Sequence, residues 1–274
     1  MKIAKLLLSL FLLVSILMPL KAYSLDITAG VATWYAWLDQ SYTKNVIGNP
    51  IYDNTKNNPN LLFGPALSVK FNDEFNLTLI LLQGKFNVTE VDNTSVYDIN
   101  YRFERIDSDI ALNYRLNDYF KIFAGVKYLS FRMDHNFGSG GSVYPEGAVY
   151  KINRSGFGPG MGFSVTYPVL ESMFFVGNLS GFYLFGEEEK GYYPDTTSNK
   201  NVKTNCNDYG MNLTLSLAYY IAPAATTISL GGRAQFVKTS YDSAYDVHRY
   251  RQGDGYDTSA FWGITLTATY SFSI

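Results

Sequence analysis

The last stretch of the chain, Trp262 to Ile274, alternates strictly between apolar and small polar residues. A period of two puts successive side chains on opposite faces of a β-strand. The pattern is longer than an ordinary globular strand of about five or six residues, and it satisfies the length of about nine to eleven that a tilted membrane-spanning strand needs. We therefore expect a membrane-spanning strand here. Its apolar face carries Trp262, Ile264, Leu266, Ala268, Tyr270, Phe272 and Ile274.

Similar segments recur along the chain, and the connections between them alternate between short turns and long polar loops. Sorting by length is typical of outer-membrane barrels, whereas a soluble β-sandwich has no reason for it. The sequence therefore predicts an all-β fold, a transmembrane antiparallel up-and-down β-barrel of about ten strands with both termini on the periplasmic side. The expected strands are residues 27–38, 61–71, 76–87, 101–115, 120–133, 153–167, 173–185, 209–221, 227–239 and 257–272.

Composition supports this class of protein. Charged residues make up only 17% of the 274 residues, aromatic residues make up 16%, and the net charge is −2. The hydrophobic content excludes a disordered chain, and the near-neutral charge gives no footprint for nucleic acid. A single cysteine excludes a disulfide scaffold. We expect the aromatic residues on the lipid-facing surface, in its two interfacial belts and in the loops.

The first residues have the pattern of a secretory signal peptide. Lys2 and Lys5 precede an uncharged apolar run over residues 6–18. This run is too short to span a bilayer comfortably, so a retained anchor is the weaker alternative. We expect a signal peptide over 1–24, cleaved after Ala22 or Ser24, and a barrel over 25–274 in the outer membrane.

Two places disturb the alternation. Pro65 interrupts the second strand and would remove a hydrogen bond from the sheet, which predicts a bulge or early loop extension near Gly64. In the third strand Gln83 and Lys85 fall on the same face as the apolar residues Leu77, Leu79 and Leu81. A bulge at Gln83 and Gly84 would restore the facing.

Charged residues on the inward parity are candidates for the lining of the lumen. If Leu116 pairs with Phe120, then Asp109 faces Lys127 across two neighbouring strands, and the two side chains should touch. A ten-stranded barrel encloses at most a narrow lumen. Either these groups form a charged constriction that selects small polar or ionic solutes, or they form a salt-bridged plug. The inward charges are Lys70, Arg105, Asp107, Asp109, Arg115, Lys121, Lys127 and Arg233.

The chain from residue 25 onward resembles the small Gram-negative outer-membrane β-barrel proteins, and in strand number it is similar to the omptins and the opacity adhesins. The resemblance rests on periodicity and layout rather than on a motif. Such barrels usually end in phenylalanine, whereas this chain ends in Ile274. The resemblance implies contact with outer-membrane lipid, help from periplasmic chaperones and the barrel-insertion machinery during assembly, and no cofactor.

Omptin-like proteases use an acidic pair and an Asp/His pair at the outer rim, and this chain offers Asp107 with Asp109 and Asp246 with His248. The first pair falls six to eight residues below the rim, while His248 lies in a long loop, so we expect no enzyme. The predicted function is a narrow passive channel for small polar solutes or a structural barrel. A surface adhesin or ligand-binding barrel with a closed lumen is the alternative, because the loops are polar and rich in tyrosine.

Overall fold

The computed structural model describes residues 25–40, 55–57, 59–91, 98–136, 149–193, 200–242 and 256–274. Nearly all of these residues belong to β-strands. The strands are β1 (Asp26–Gln40), β2 (Thr55–Asn57), β3 (Asn60–Lys70), β4 (Phe75–Val91), β5 (Asp98–Arg115), β6 (Phe120–Asn136), β7 (Val149–Leu170), β8 (Met173–Tyr193), β9 (Lys200–Ile221), β10 (Thr226–Tyr241) and β11 (Tyr256–Ser273).

Ten of these strands form a closed antiparallel barrel. Each pairs with its neighbours along the chain, and β1 pairs with both β3 and β11, which closes the ring. The short strand β2 is not one of the ten, and it pairs with the loop end of β4. The predicted fold and strand number are confirmed.

Tight turns join the strands at one end of the barrel, which we call the turn end; the opposite one is the loop end. In two turns an asparagine side chain holds the backbone. The Asn72 Oδ1 accepts hydrogen bonds from the backbone N–H groups of Glu74 and Phe75 at 2.9 and 2.8 Å, and Asn117 does the same two and three residues on. Asparagine favours such turns because its side chain mimics a backbone acceptor.

The outer surface of the barrel is an apolar band between two aromatic belts. On β11 the outward side chains run from Trp262, which stacks on Trp37 at a centroid distance of 4.7 Å, to Phe272 at the turn end. This length of strand is about 33 Å, and at the usual tilt it spans a height of about 25 Å, the thickness of an outer-membrane apolar band. The predicted outward facing of Trp262, Tyr270 and Phe272 is confirmed, since all three are exposed.

Several strands continue beyond this band at the loop end, further than the sequence predicts. Strand β8 extends to Tyr193, and β9 begins at Lys200. The outward residues there are charged and paired, as between Lys85 and Glu104 at 2.8 Å. Part of each predicted long loop is therefore strand, and the inward residues of these strand extensions line the barrel.

Both predicted bulges are wrong. Phe63 pairs with Gln83 and Ala66 with Ile80, so β3 and β4 keep one register across Pro65. The register between β4 and β5 is also continuous. Gln83 therefore points outward, and its apolar neighbour Leu82 points into a core inside the barrel.

Among the described residues the helical element is a 3-10 turn over Ala222–Ala224. No described helix is long and apolar enough to cross a membrane.

Candidate functional site

Asp107 of β5 lies in the middle of the lumen and is fully buried. Its Oδ1 accepts a hydrogen bond from Lys127 of β6. Its Oδ2 accepts hydrogen bonds from Arg105 at 3.1 Å, from Arg233 at 3.1 Å and from the Gln235 side chain at 3.2 Å. A buried carboxylate is tolerated when it is paired in this way.

The inward alternation of the strands brings these groups together, because each of them points away from the lipid. Lys127 also donates to Asp109 at 3.0 Å, and the two residues are direct partners in the strand pairing. The predicted contact between them is therefore confirmed. We call Arg105, Asp107, Asp109, Lys127 and Arg233 the mid-lumen ion cluster.

The hydrogen bonds of this cluster cross the full width of the barrel. In the ring of ten strands β5 and β10 stand opposite each other, five positions apart in either direction. Arg105 on β5 donates to Gln235 on β10, and Arg233 on β10 donates to Asp107 on β5. The lumen is bridged from wall to wall by direct side-chain contacts.

Aromatic rings cover the cations of the cluster. The Arg105 guanidinium lies over the Phe261 ring at 3.7 Å from its centroid, and the Arg233 guanidinium lies over Trp34 at 4.5 Å. The electron-rich ring faces attract such cations most strongly where water is excluded. Both rings are buried, so they hold the cations in place and exclude water from them.

An apolar core surrounds these rings inside the barrel. Its members come mainly from the loop half of the strands, which the sequence predicts to carry aromatic residues on the outside only. That expectation is wrong for the buried aromatic residues. The Phe182 ring fits because Gly210 lies opposite, where an added Cβ would be 2.6 Å from the ring. The large buried apolar side chains include Trp34, Leu62, Leu82, Phe86, Phe103, Phe131, Met133, Phe182, Leu184 and Phe261.

A second group of charges lies nearer the loop end. Arg154 of β7 lies 3.9 Å from both Glu188 of β8 and Asp208 of β9. The Tyr241 hydroxyl donates to Glu188 at 2.9 Å, and the Thr239 hydroxyl donates to Asp208. We call Arg154, Glu188 and Asp208 the outer ion cluster.

The two clusters balance each other. The mid-lumen ion cluster has one excess positive charge, and the outer ion cluster has one excess negative charge. A cavity between them, lined by Arg105, Arg154 and Asp208 among others, has room for about one water molecule. The two clusters and the apolar core together form what we call the plug, and its formal charge is zero.

The lumen on the other side of the plug is polar and reached by solvent. Asp109 has 37% of its side chain exposed, whereas Lys127 directly above it has 2%. From Asp109 to the turn end many inward residues are small or polar, and several bond to each other, such as Thr28 with Ser271 at 3.0 Å. Ile80 and Phe123 also face this space. We call this space the vestibule. Its inward residues include Thr28, Ser68, Asn113, Ser164, Thr214 and Thr267.

The structure separates the predicted lumen residues into two groups. Arg105, Asp107, Asp109, Lys127 and Arg233 come together in the mid-lumen ion cluster. Lys70, Arg115 and Lys121 lie at the turn end, where Lys70 and Arg115 bond to the turn residues Asp73 at 2.7 Å and Asp118. The two groups are separated by about 20 Å of strand, from residue 109 to 115 of β5.

Sequence reasoning missed several members of the plug. Gln235 has the same inward parity as Arg233, so alternation alone could have identified it. Glu188 and Asp208 fall in a predicted loop, because β8 and β9 continue beyond the expected bounds. No group of three or more metal-ligating residues occurs in the part of the chain that the structure describes.

No protein-family model matches the sequence, and no curated protein matches it either. The outer membrane protease OmpT from Escherichia coli has a similar structure, with a TM-score of 0.52 at 12% identity over 93% of this chain and 99% of that chain. A major outer membrane protein from Thermus thermophilus matches with a TM-score of 0.41 at 12% identity over 92% of this chain and 100% of that chain. The likeness to OmpT shows that this chain has the fold of an outer-membrane β-barrel.

The residues that match the catalytic pairs of omptin-like proteases do not form a catalytic site among the described residues. Both oxygens of Asp107 accept hydrogen bonds from cations, and 1% of its side chain is exposed. A general base needs an oxygen within reach of a substrate proton. Asp246 and His248 lie outside the described residues, so that pair stays a prediction.

Proposed function

We propose that this protein is an outer-membrane β-barrel with a closed lumen, which serves as a structural or surface-binding barrel rather than as a passive channel. The observation that carries this proposal is the set of hydrogen bonds that joins Arg105 and Asp107 on one wall to Gln235 and Arg233 on the opposite wall. A solute would have to break these bonds in order to pass.

The energetics of the plug support a lumen that stays closed. Separating a buried ion pair leaves uncompensated charges in a medium of low polarity, which costs about 3–5 kcal/mol. Four donors bind Asp107, so opening the lumen would disturb several such contacts at once. Binding at the cell surface would then fall to the loops, whose tyrosine-rich segment 243–255 lies outside the described residues.

Conductance in a planar lipid bilayer tests the closed lumen. We expect the native barrel to give no stepwise conductance. The double variant Trp34→Ala, Phe261→Ala removes two rings of the plug, and we expect it to give conductance steps. Reproducible steps from the native barrel would overturn the proposal.

A matched control is available on the same two strands. Trp37 and Trp262 stack on the outer surface of β1 and β11, so the double variant Trp37→Ala, Trp262→Ala removes two rings from outside the barrel. We expect this variant to remain silent. A heat-modifiable shift on a denaturing gel establishes that each variant has folded.

The location is part of the same proposal. Membrane fractionation should place the protein with outer-membrane markers. N-terminal sequencing of the exported protein should begin at Tyr23 or Leu25 if residues 1–24 form the expected signal peptide.

A further inference from the structure

Three inward cations gather at the mouth of the vestibule. They are Lys70 of β3, Arg115 of β5 and Lys121 of β6. Lys70 and Arg115 each have a carboxylate partner in the adjacent turn, Asp73 and Asp118. Two of the three cations are therefore paired, and the three differ in how well they are compensated.

Lys121 is the least compensated of the three. It is the direct cross-strand partner of Arg115 on one side and of Ser164 on the other. The charges that act on it are the like charges of Arg115 and Lys70. In the described part of the chain no carboxylate lies within salt-bridge distance of its ammonium group. Like charges directly opposite each other in a sheet are destabilising.

The surroundings of Lys121 suit an anion. The ammonium group points into the vestibule, and the Ser164 hydroxyl, on the residue directly opposite it across the strand pair, lies on the same inward face. A charged cleft surrounded by protein of low dielectric constant concentrates the electric field and raises the local concentration of oppositely charged solutes. Water reaches this space as far as Asp109, 37% of whose side chain is exposed.

We propose that the mouth of the vestibule is a binding site for a small carboxylate or phosphate anion, which enters from the turn end. The Lys121 ammonium donates to the anion, and Arg115 and Lys70 contribute positive charge. Hydroxyl groups of the wall, Ser164 among them, complete the hydrogen bonding. The site depends on the mouth of the vestibule and not on whether the plug stays closed.

A bound anion would offset the repulsion between Lys121 and its neighbours Arg115 and Lys70. The charged form of Lys121 is disfavoured where its charged neighbours are also cations, because each of them repels it. A bound anion reverses the sign of the field at Lys121 and forms charge-assisted hydrogen bonds, which are stronger than neutral ones. A lipid phosphate is the wrong source for this anion, since Lys121 points into the barrel and away from the lipid.

Titration calorimetry of the folded barrel in a nonionic detergent, at constant ionic strength, tests the site. Citrate and inorganic phosphate are the probes, and glucose is the uncharged control. We expect saturable binding of at least one of the two anions and none of glucose. The variant Lys121→Met should weaken that binding by about tenfold or more, since it removes a charge-assisted hydrogen bond.

Lys203→Met is the matched control, because it removes the same charge from an outward lysine that pairs with Glu187 at the loop end. Its affinity for the anion should equal that of the native barrel. Absence of saturable anion binding, or an equal loss in both variants, would overturn the proposal. Lys121→Met removes a like-charge contact and should fold, and Lys121→Gln provides a second variant with the same expected loss. The conductance of the native barrel is measured separately, so failure here is distinct from failure of the closed lumen.

Discussion

The two halves of the lumen are built by the same strands with the same alternation, and yet they have opposite character. In the loop half the inward residues are large rings and paired ions, fully buried around Trp34 and Asp107. In the turn half they are mostly threonine, serine, asparagine and glycine, and solvent reaches this space as far as Asp109. Alternation therefore determines which residues face inward, and the size of those residues determines whether the lumen is filled.

The two halves also differ in how completely their charges are paired. Each charge of the mid-lumen ion cluster has a partner of opposite sign, and the outer ion cluster offsets its excess positive charge. At the mouth of the vestibule Lys121 faces only like charges among the described residues. A sealed interior requires local neutrality because no water is available to solvate a charge, whereas a wet interior can retain an excess.

Removing the central anion of the plug should have the largest effect. The variant Asp107→Ala leaves Arg105 and Arg233 without the carboxylate that binds them, and we expect the free energy of unfolding to fall by about 3–5 kcal/mol. Urea unfolding in lipid vesicles measures the change. Asp109→Ala is the control, and at its more exposed position we expect a loss of about 1 kcal/mol. Equal losses would mean that burial does not determine how much each carboxylate of the mid-lumen ion cluster contributes to stability.

A pair of substitutions on β11 compares the two halves within one strand. Phe261 lies in the plug and Thr267 faces the vestibule, six residues apart. We expect Phe261→Leu to lower the free energy of unfolding by about 1–2 kcal/mol, because the ring face over Arg105 is lost. Thr267→Ala should change it by less than about 0.5 kcal/mol. The same urea titration checks both, and a larger loss at Thr267 would contradict the distinction.

The ion pair in the turn after β3 should have the smallest effect. The hydrogen bond from Lys70 holds the pKa of Asp73 below its usual value, and both groups are exposed. A lowered pKa means that the unfolded chain binds more protons, so any stabilisation by Asp73 is present at neutral pH and is lost as the pH falls through the folded pKa. We expect Asp73→Asn to shift the urea midpoint slightly at about pH 7, and we expect this shift to shrink progressively as the pH is lowered below about 4. A shift that persists in acid would contradict this origin.

Much of this architecture could be predicted from the sequence. Strand number, loop sorting and the register between β5 and β6 follow from alternation and turn lengths, and they place Asp109 beside Lys127. Those features depend on neighbours along the chain, which the sequence specifies directly.

The plug could not be predicted in the same way. Apolar residues on both parities of β4 suggest a bulge at Gln83, but the strand is regular and Leu82 and Phe86 belong to an interior core. The bonds from β5 to β10 depend on the diameter and stagger of the closed ring, which alternation does not determine. Glu188 and Asp208 escaped prediction because strands continue past the membrane, where the apolar face that marks a strand is no longer present.

The bonds that cross the lumen also bear on the order of assembly. Arg105 and Gln235 are 130 residues apart in the sequence, so their contact forms only after β10 has taken its place in the ring. Contacts that form after the rate-limiting step of folding affect the rate of unfolding rather than the rate of folding. We therefore expect the ions that close the lumen to slow the unfolding of the finished barrel without speeding its insertion.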